Sequence, residues 1–150
     1  MPNQFSRTEL LLGKEVVRSL QHSRVAVFGI GGVGGSAVEA LARSGIGALD
    51  LVDDDRVCLA NLNRQIFAIR STVGKYKVDA AAARIAEISP DCLITAIKAF
   101  YLPSVEGQFD FSKYDYIIDA VDTVASKIEL VMQARLPMCL LSAPWLPEAN

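Results

Sequence analysis

The chain has 150 residues, of which 51% are hydrophobic and 21% charged, and a formal net charge of −2. That length suits one domain with a core of ordinary size, and the composition excludes a disordered chain. The slightly acidic balance argues against a protein that grips nucleic acid over most of its surface, so any RNA contact is expected to be local.

The first residues, Met-Pro-Asn-Gln-Phe-Ser-Arg-Thr-Glu, do not lead from charge into an apolar stretch, and no apolar run is long enough to span a membrane. The expected location is therefore cytoplasmic. Residues Met1 to Gly13 read as a polar arm leading into a short helix, with apolar positions at Leu10, Leu11, Leu12, Val16, Val17 and Leu20. Arg24 to Gly29 is a short β-branched run ending in glycine, which reads as a buried strand. A helix is expected over Gly32 to Ser44, a second strand over Ala48 to Asp53, and a loop from Asp54 to Asn63 that passes into a short helix near Arg64 to Ala68. Lys75 to Ser89 has Val78, Ala81, Ala82, Ile85 and Ile88 at helical spacing, and Ser89-Pro90 ends it. Strands follow at Cys92 to Lys98 and Tyr114 to Ala120, then a helix from Ala125 to Ala134. Such alternation predicts an α/β fold, a doubly wound and mostly parallel Rossmann-like sheet with helices on both faces.

The first strand runs into Gly29-Ile-Gly31-Gly32-Val-Gly34, a Gly-x-Gly-x-x-Gly pattern between a strand and a helix. Gly29 permits the tight turn, Gly31 admits a phosphate to the backbone, and Gly34 lets helix and sheet pack closely. Unsatisfied N–H groups at the helix start favour an anion. Asp53, at the end of the second strand, stands where an acid accepts hydrogen bonds from ribose hydroxyls. The bland alternative is a tight turn and nothing more. The pattern indicates a nucleotide but not a reaction.

Splitting ATP between its α and β phosphates requires fixed cations and a carboxylate for magnesium, because charge grows on the departing pyrophosphate. The chain offers Asn61-Leu-Asn63-Arg64-Gln65, Gly74-Lys75-Tyr-Lys77 and Asp119-Ala-Val-Asp122. Singly, Arg64 reads equally as a surface residue, Lys77 as a solvated helix charge and Asp122 as a helix N-cap. In this order, and together with Val52-Asp53-x-Asp55 and Val73-Gly-x-x-Lys77-Val, they resemble the ThiF/MoeB/ubiquitin-activating superfamily over roughly residues 5–129.

That resemblance implies an ATP-binding adenylating domain over residues 1–135, with Asp53 on ribose, Arg64 and Lys77 on phosphates, and Asp122 on magnesium. It implies that Asp55 and Asn61 complete the pocket, and that Arg7 reaches into the ATP site of a partner copy in a homodimer. Phe5-Ser-Arg-Thr-Glu-Leu-Leu, Asp53-Asp-Asp-Arg-Val-Cys58 and Asp119-Ala-Val-Asp-Thr-Val124 followed by Lys127 are similar to the tRNA threonylcarbamoyladenosine dehydratase branch. That branch would activate the carboxylate of a threonylcarbamoyl group on adenosine 37 of modified tRNA, with a sulfur-transfer protein as a further partner. The alternatives are activation of a sulfur-carrier protein's C-terminus, a NAD-dependent oxidoreductase, or an inactive remnant.

No cysteine nucleophile is needed if the substrate closes on itself. Cys58, Cys92 and Cys139 form no Cys-x-x-Cys pair and read as structural thiols. His22, the only histidine, reads as a helix-end residue. Past Ala134 the resemblance stops, so residues 136–150 are expected to be an aberrant or divergent tail and the last strands of the sheet to be missing. Suitable codons in a neighbouring frame there spell Val-Ser-Ser-Met-Ala-Ala-Gly, close to the family's loop. The expectation is a frameshift near Leu136 to Cys139, which the coding DNA would test.

Overall fold

The computed structural model describes residues 3–101, 109–135 and 140–142. Two short helices, α1 (Ser6–Leu12) and α2 (Lys14–His22), lead into β1 (Arg24–Phe28), α3 (Gly32–Ser44) and β2 (Ala48–Val52). Two 3₁₀ turns follow, at Leu59–Asn61 and Arg70–Thr72, then α4 (Lys77–Ile88) and β3 (Leu93–Ile97). A third 3₁₀ turn at Phe111–Lys113, β4 (Tyr116–Asp119), α5 (Val124–Arg135) and β5 (Leu140–Ser142) complete the described elements.

Every strand pairs parallel to its neighbours, in the order β3-β2-β1-β4-β5. β1 and β2 can be apolar almost throughout because both faces of the sheet are covered. On one face Val25 and Val27 meet Val38 and Ala42 of α3 and Val78, Ala81 and Ile85 of α4. On the other, Ala26 and Phe28 pack with Tyr101, Phe111, Tyr114 and Leu130. Phe28 lies edge-on to Tyr101, with ring centroids 5.2 Å apart, a favourable arrangement for aromatic quadrupoles. The chain builds outward from β1 to β3 and then returns to place β4 on the other side of β1. The topological switch point thus lies between the C-terminal ends of β1 and β4, where such sheets hold ligands.

Three local expectations change. The leading arm is already helical at Ser6, and Gly13, at φ +89°, separates α1 from α2. No helix forms at 64–68; the chain turns there because the Asn61 carbonyl accepts from both Arg64 and Gln65 N–H and Thr72 Oγ1 donates back to Phe67 O. Within the expected tail, Leu140–Ser142 extends the sheet beside β4, while residues 136–139 and 143–150, and with them the frameshift and Cys139, lie outside the described residues. Among the described residues no helix is long and apolar enough to cross a membrane.

Candidate nucleotide site

The glycines of the β1–α3 turn divide into two kinds. At Gly29 (φ +89°) a Cβ would fall 2.5 Å from the Ala120 carbonyl oxygen, and at Gly34 it would fall 1.8 Å from the Gly29 carbonyl oxygen. The protein's own packing demands those two. At Gly31 a Cβ would meet Gln65 Nε2 at 3.7 Å, and at Gly32 Arg64 O at 3.5 Å and Arg64 Cγ at 4.0 Å, which are ordinary contacts. There the bare backbone leaves open space at the start of α3, on the positive end of its dipole.

That space belongs to a cleft of about 520 Å³ at the switch point, and Gly29, Gly31, Gly32, Asp53, Asp55, Asn61, Arg64, Lys77 and Asp122 all line it. On the β2 side, Asp53 Oδ2 accepts from Ile30 N–H at 2.7 Å and Oδ1 from Asp55 N–H at 2.8 Å. Burial raises the Asp53 pKa, opposed by those two backbone hydrogen bonds and the nearby Lys77 charge, with Asp55 adding to the rise. Each carboxylate oxygen keeps a lone pair for a ribose hydroxyl. Lys77, 9% exposed, pairs with Asp55 at 2.5 Å, whereas Asp55 is 65% exposed. Asn61 is buried, and its Oδ1 accepts from Cys58 N–H at 3.0 Å. Arg64 Nη1 donates to Ala60 O at 3.0 Å and Asn63 Oδ1 at 3.1 Å, and among the described residues Arg64 has no carboxylate partner. Its remaining donors suit a phosphate.

On the β4 side, Asp119 is fully buried. Its Oδ1 accepts from Val121 N–H at 3.1 Å, and both of its oxygens face Lys127 Nζ, at 3.2 and 3.3 Å. Asp122 lines the cleft, exposed and without an ion pair among the described residues. Asp53, Asp54 and Asp55 also gather carboxylate oxygens within 4.8 Å of one another. Asp53 and Asp55 are already engaged, and Asp122, which has no ion pair among the described residues, is a carboxylate that could hold a magnesium ion together with phosphate oxygens. One protein carboxylate plus phosphates and water is an ordinary Mg²⁺ set.

Nine of the expected site residues thus converge on one cleft. Gly34 stands behind it as a packing glycine, and Arg7, exposed on α1, does not line it. The sequence reading assigned no role to the apolar wall made by Val33, Phe100 and Tyr101, nor to the buried acid Asp119. Phe100 and Tyr101, in the loop past β3, and a buried aspartate carry no local signal; only the topology brings them to the turn. His22 is at a helix end as expected, its Nδ1 2.7 Å from Arg18 O. Cys92 is buried and Cys58 exposed, and neither lines the cleft.

Comparison with known proteins bears on the same residues. The family model described as "ThiF family" matches residues 5–138. A tRNA threonylcarbamoyladenosine dehydratase of Bacillus subtilis is 52% identical over 133 residues, covering 89% of this chain and 52% of the relative. The molybdopterin-synthase adenylyltransferase of Escherichia coli is 38% identical over 112 residues, covering 75% of this chain and 45% of the relative. The crystal structure of E. coli tRNA N6-threonylcarbamoyladenosine dehydratase in complex with ATP superposes with a TM-score of 0.88 at 41% identity, covering 92% of this chain and 57% of that one. The chain spans about half the length of the curated relatives it matches. From the glycine turn, the cations gathered at it and the match over most of its length, the chain belongs to the ThiF family.

Proposed function

We propose that the cleft binds ATP with magnesium and adenylates a carboxylate, and that the carboxylate is the threonylcarbamoyl group at adenosine 37 of tRNA. The observation that carries this reading is the convergence of Arg64, Lys77 and Asp122 on the open backbone at Gly31 and Gly32. A dinucleotide carries two phosphate charges and needs little beyond the turn and Asp53. Two cations, Arg64 and Lys77, with a carboxylate for magnesium answer a triphosphate. The ATP-bound relative and the 52% identical dehydratase support the choice of nucleotide and substrate.

In this reading the triphosphate lies along the start of α3. Arg64 and Lys77 hold its β and γ oxygens, and Asp53 accepts from the ribose. Magnesium, held by Asp122 and phosphate oxygens, would neutralise charge on the leaving pyrophosphate. The substrate carboxylate attacks the α-phosphorus, the bond to the β-phosphate oxygen breaks, and pyrophosphate leaves. An atom of the carbamoyl group on the same side chain then attacks the acyl carbon, a carbamoyl N–H proton passes to solvent, and the bond from the acyl carbon to the AMP oxygen breaks, closing the ring and releasing AMP. No enzyme nucleophile takes part, in keeping with the placement of Cys58 and Cys92 away from the cleft. Leu10 and Leu11, 88% and 83% exposed beside Arg7 on α1, support a homodimer in which Arg7 enters the partner's site.

The test is ATP-dependent conversion of threonylcarbamoyl-modified tRNA by the purified chain, with AMP and pyrophosphate counted, beside a frame-corrected form. Pyrophosphate exchange that depends on a sulfur-carrier protein and ignores tRNA would replace the substrate, a reading favoured by the adenylyltransferase similarity. Selective binding of NAD over ATP with magnesium would overturn the adenylating chemistry itself.

A further inference from the structure

We propose that Lys127 is a positioning residue: by compensating the buried charge of Asp119 it fixes the turn that presents Asp122 to the cleft. The proposal rests on the reading of the cleft as a site for ATP with magnesium. Asp119 is the last residue of β4 and is fully buried. Its Oδ1 accepts from Val121 N–H at 3.1 Å, so the carboxylate itself shapes the turn that follows. The same turn has no slack toward β1. Ala120 N–H donates to Phe28 O at 2.8 Å, and the Ala120 carbonyl presses against Gly29 where no Cβ could fit.

Lys127 closes the other end. Its backbone N–H donates to Thr123 O at 3.1 Å, in the first turn of α5, and its ammonium reaches back to both Asp119 oxygens. Residues Ala120 to Ser126, which carry Asp122 into the cleft, are therefore held in a loop tied by one side chain. Lys127 does not line the cleft, so its effect on a nucleotide must pass through this tie. Without the ammonium an ionised Asp119 has no counter-charge in a dry site, and breaking a buried pair from one side is far costlier than removing both partners. The turn then opens to bring water to Asp119, and Asp122 moves with it.

The experiment is calorimetric titration of ATP at graded magnesium, and of AMP, into the full chain and its K127M, K127R and D119N/K127M variants. A group that orients a metal-binding carboxylate is worth about 10–100-fold in metal affinity, so K127M should need about tenfold more magnesium for half-maximal ATP binding while AMP affinity stays within about twofold. K127R, which keeps the charge, and D119N/K127M, which removes both charges, should return the requirement to that of the wild type. If K127M does not fold, K127R and the double variant decide together: folding restored in both with an unchanged magnesium requirement supports the tie, and a raised requirement or failed folding in either overturns it. An unchanged requirement in K127M, or equal loss of ATP and AMP, also overturns it. A wild-type chain that binds no ATP removes the reading of the cleft and this inference together; a wild type that binds ATP beside an indifferent K127M removes only this one.

Discussion

The two walls of the cleft each carry a lysine–aspartate pair, built in opposite senses. On the β2 wall the lysine is the buried partner and the acid faces water: Lys77 is 9% exposed and Asp55 65%. On the β4 wall the acid is fully buried and Lys127 is 20% exposed. Exposure decides which partner can be exchanged. Asp55 can give up Lys77 and remain solvated, so under the proposed function the pair would serve as a counter-ion held until phosphate arrives. Asp119 cannot release Lys127 without leaving a charge in a dry site. The first pair is suited to binding and the second to architecture, although a sequence shows both as the same two residue types.

The most severe way to break the comparison is to remove the pivot that both walls share. Gly34→Ala places a Cβ against the Gly29 carbonyl oxygen, and overpacking against backbone should cost at least about 4 kcal/mol. Urea denaturation should show most of the stability gone, and nucleotide binding should vanish with it.

The next test separates the walls. Lys127→Met should lower stability by about 2–3 kcal/mol, somewhat less than the usual cost of breaking a buried pair because Lys127 is partly exposed. Lys77→Met leaves only an exposed acid behind and should change stability far less. It should weaken ATP binding about 100-fold, since a hydrogen bond to a charged group is worth about 1.5–3 kcal/mol. Parallel denaturation and ATP titration of the two variants measure this; equal stability losses would erase the distinction.

The smallest effect is one of pH, on the β2 wall. Burial raises the pKa of Asp53 above the ordinary carboxylate range, so the folded chain binds that proton more tightly than the unfolded chain does. Stability from this group is therefore greatest below the unfolded pKa and falls as pH rises through the raised one. Asp53→Asn should flatten that limb in a pH series of denaturation curves. ATP binding should show the reverse slope in the wild type, weakening on acidification as Asp53 loses its capacity to accept from ribose.

Most of the fold was legible because alternating β-branched and helical stretches have distinct periods, and because Gly29 to Gly34 stand between a strand and a helix. The same reading failed at 64–68. There the chain is shaped by the Asn61 carbonyl and the Thr72 hydroxyl, which hold turns without any periodic apolar signal. Arg64 and Lys77 were legible as residues of one site only through their order along the chain, and the fold brings both to the cleft. Alone, an exposed arginine and a helix-start lysine carry no such information. The Asp119–Lys127 tie was not legible as a tie, since its partners are eight residues apart across a turn and Asp119 is buried at the end of β4, where it pairs with Phe28 of β1.

The backbone contact between Gly29 and Ala120 has a consequence for how the molecule comes into being. The two halves of the nucleotide floor are separated by some ninety residues of chain, so a nascent polypeptide leaves the ribosome with its glycine bend formed well before the strand that must press against it. Long-range parallel pairing of this kind closes slowly. During that interval the inner edge of β1 waits uncovered, and a chaperone or the arrival of β4 must reach it before another polypeptide does.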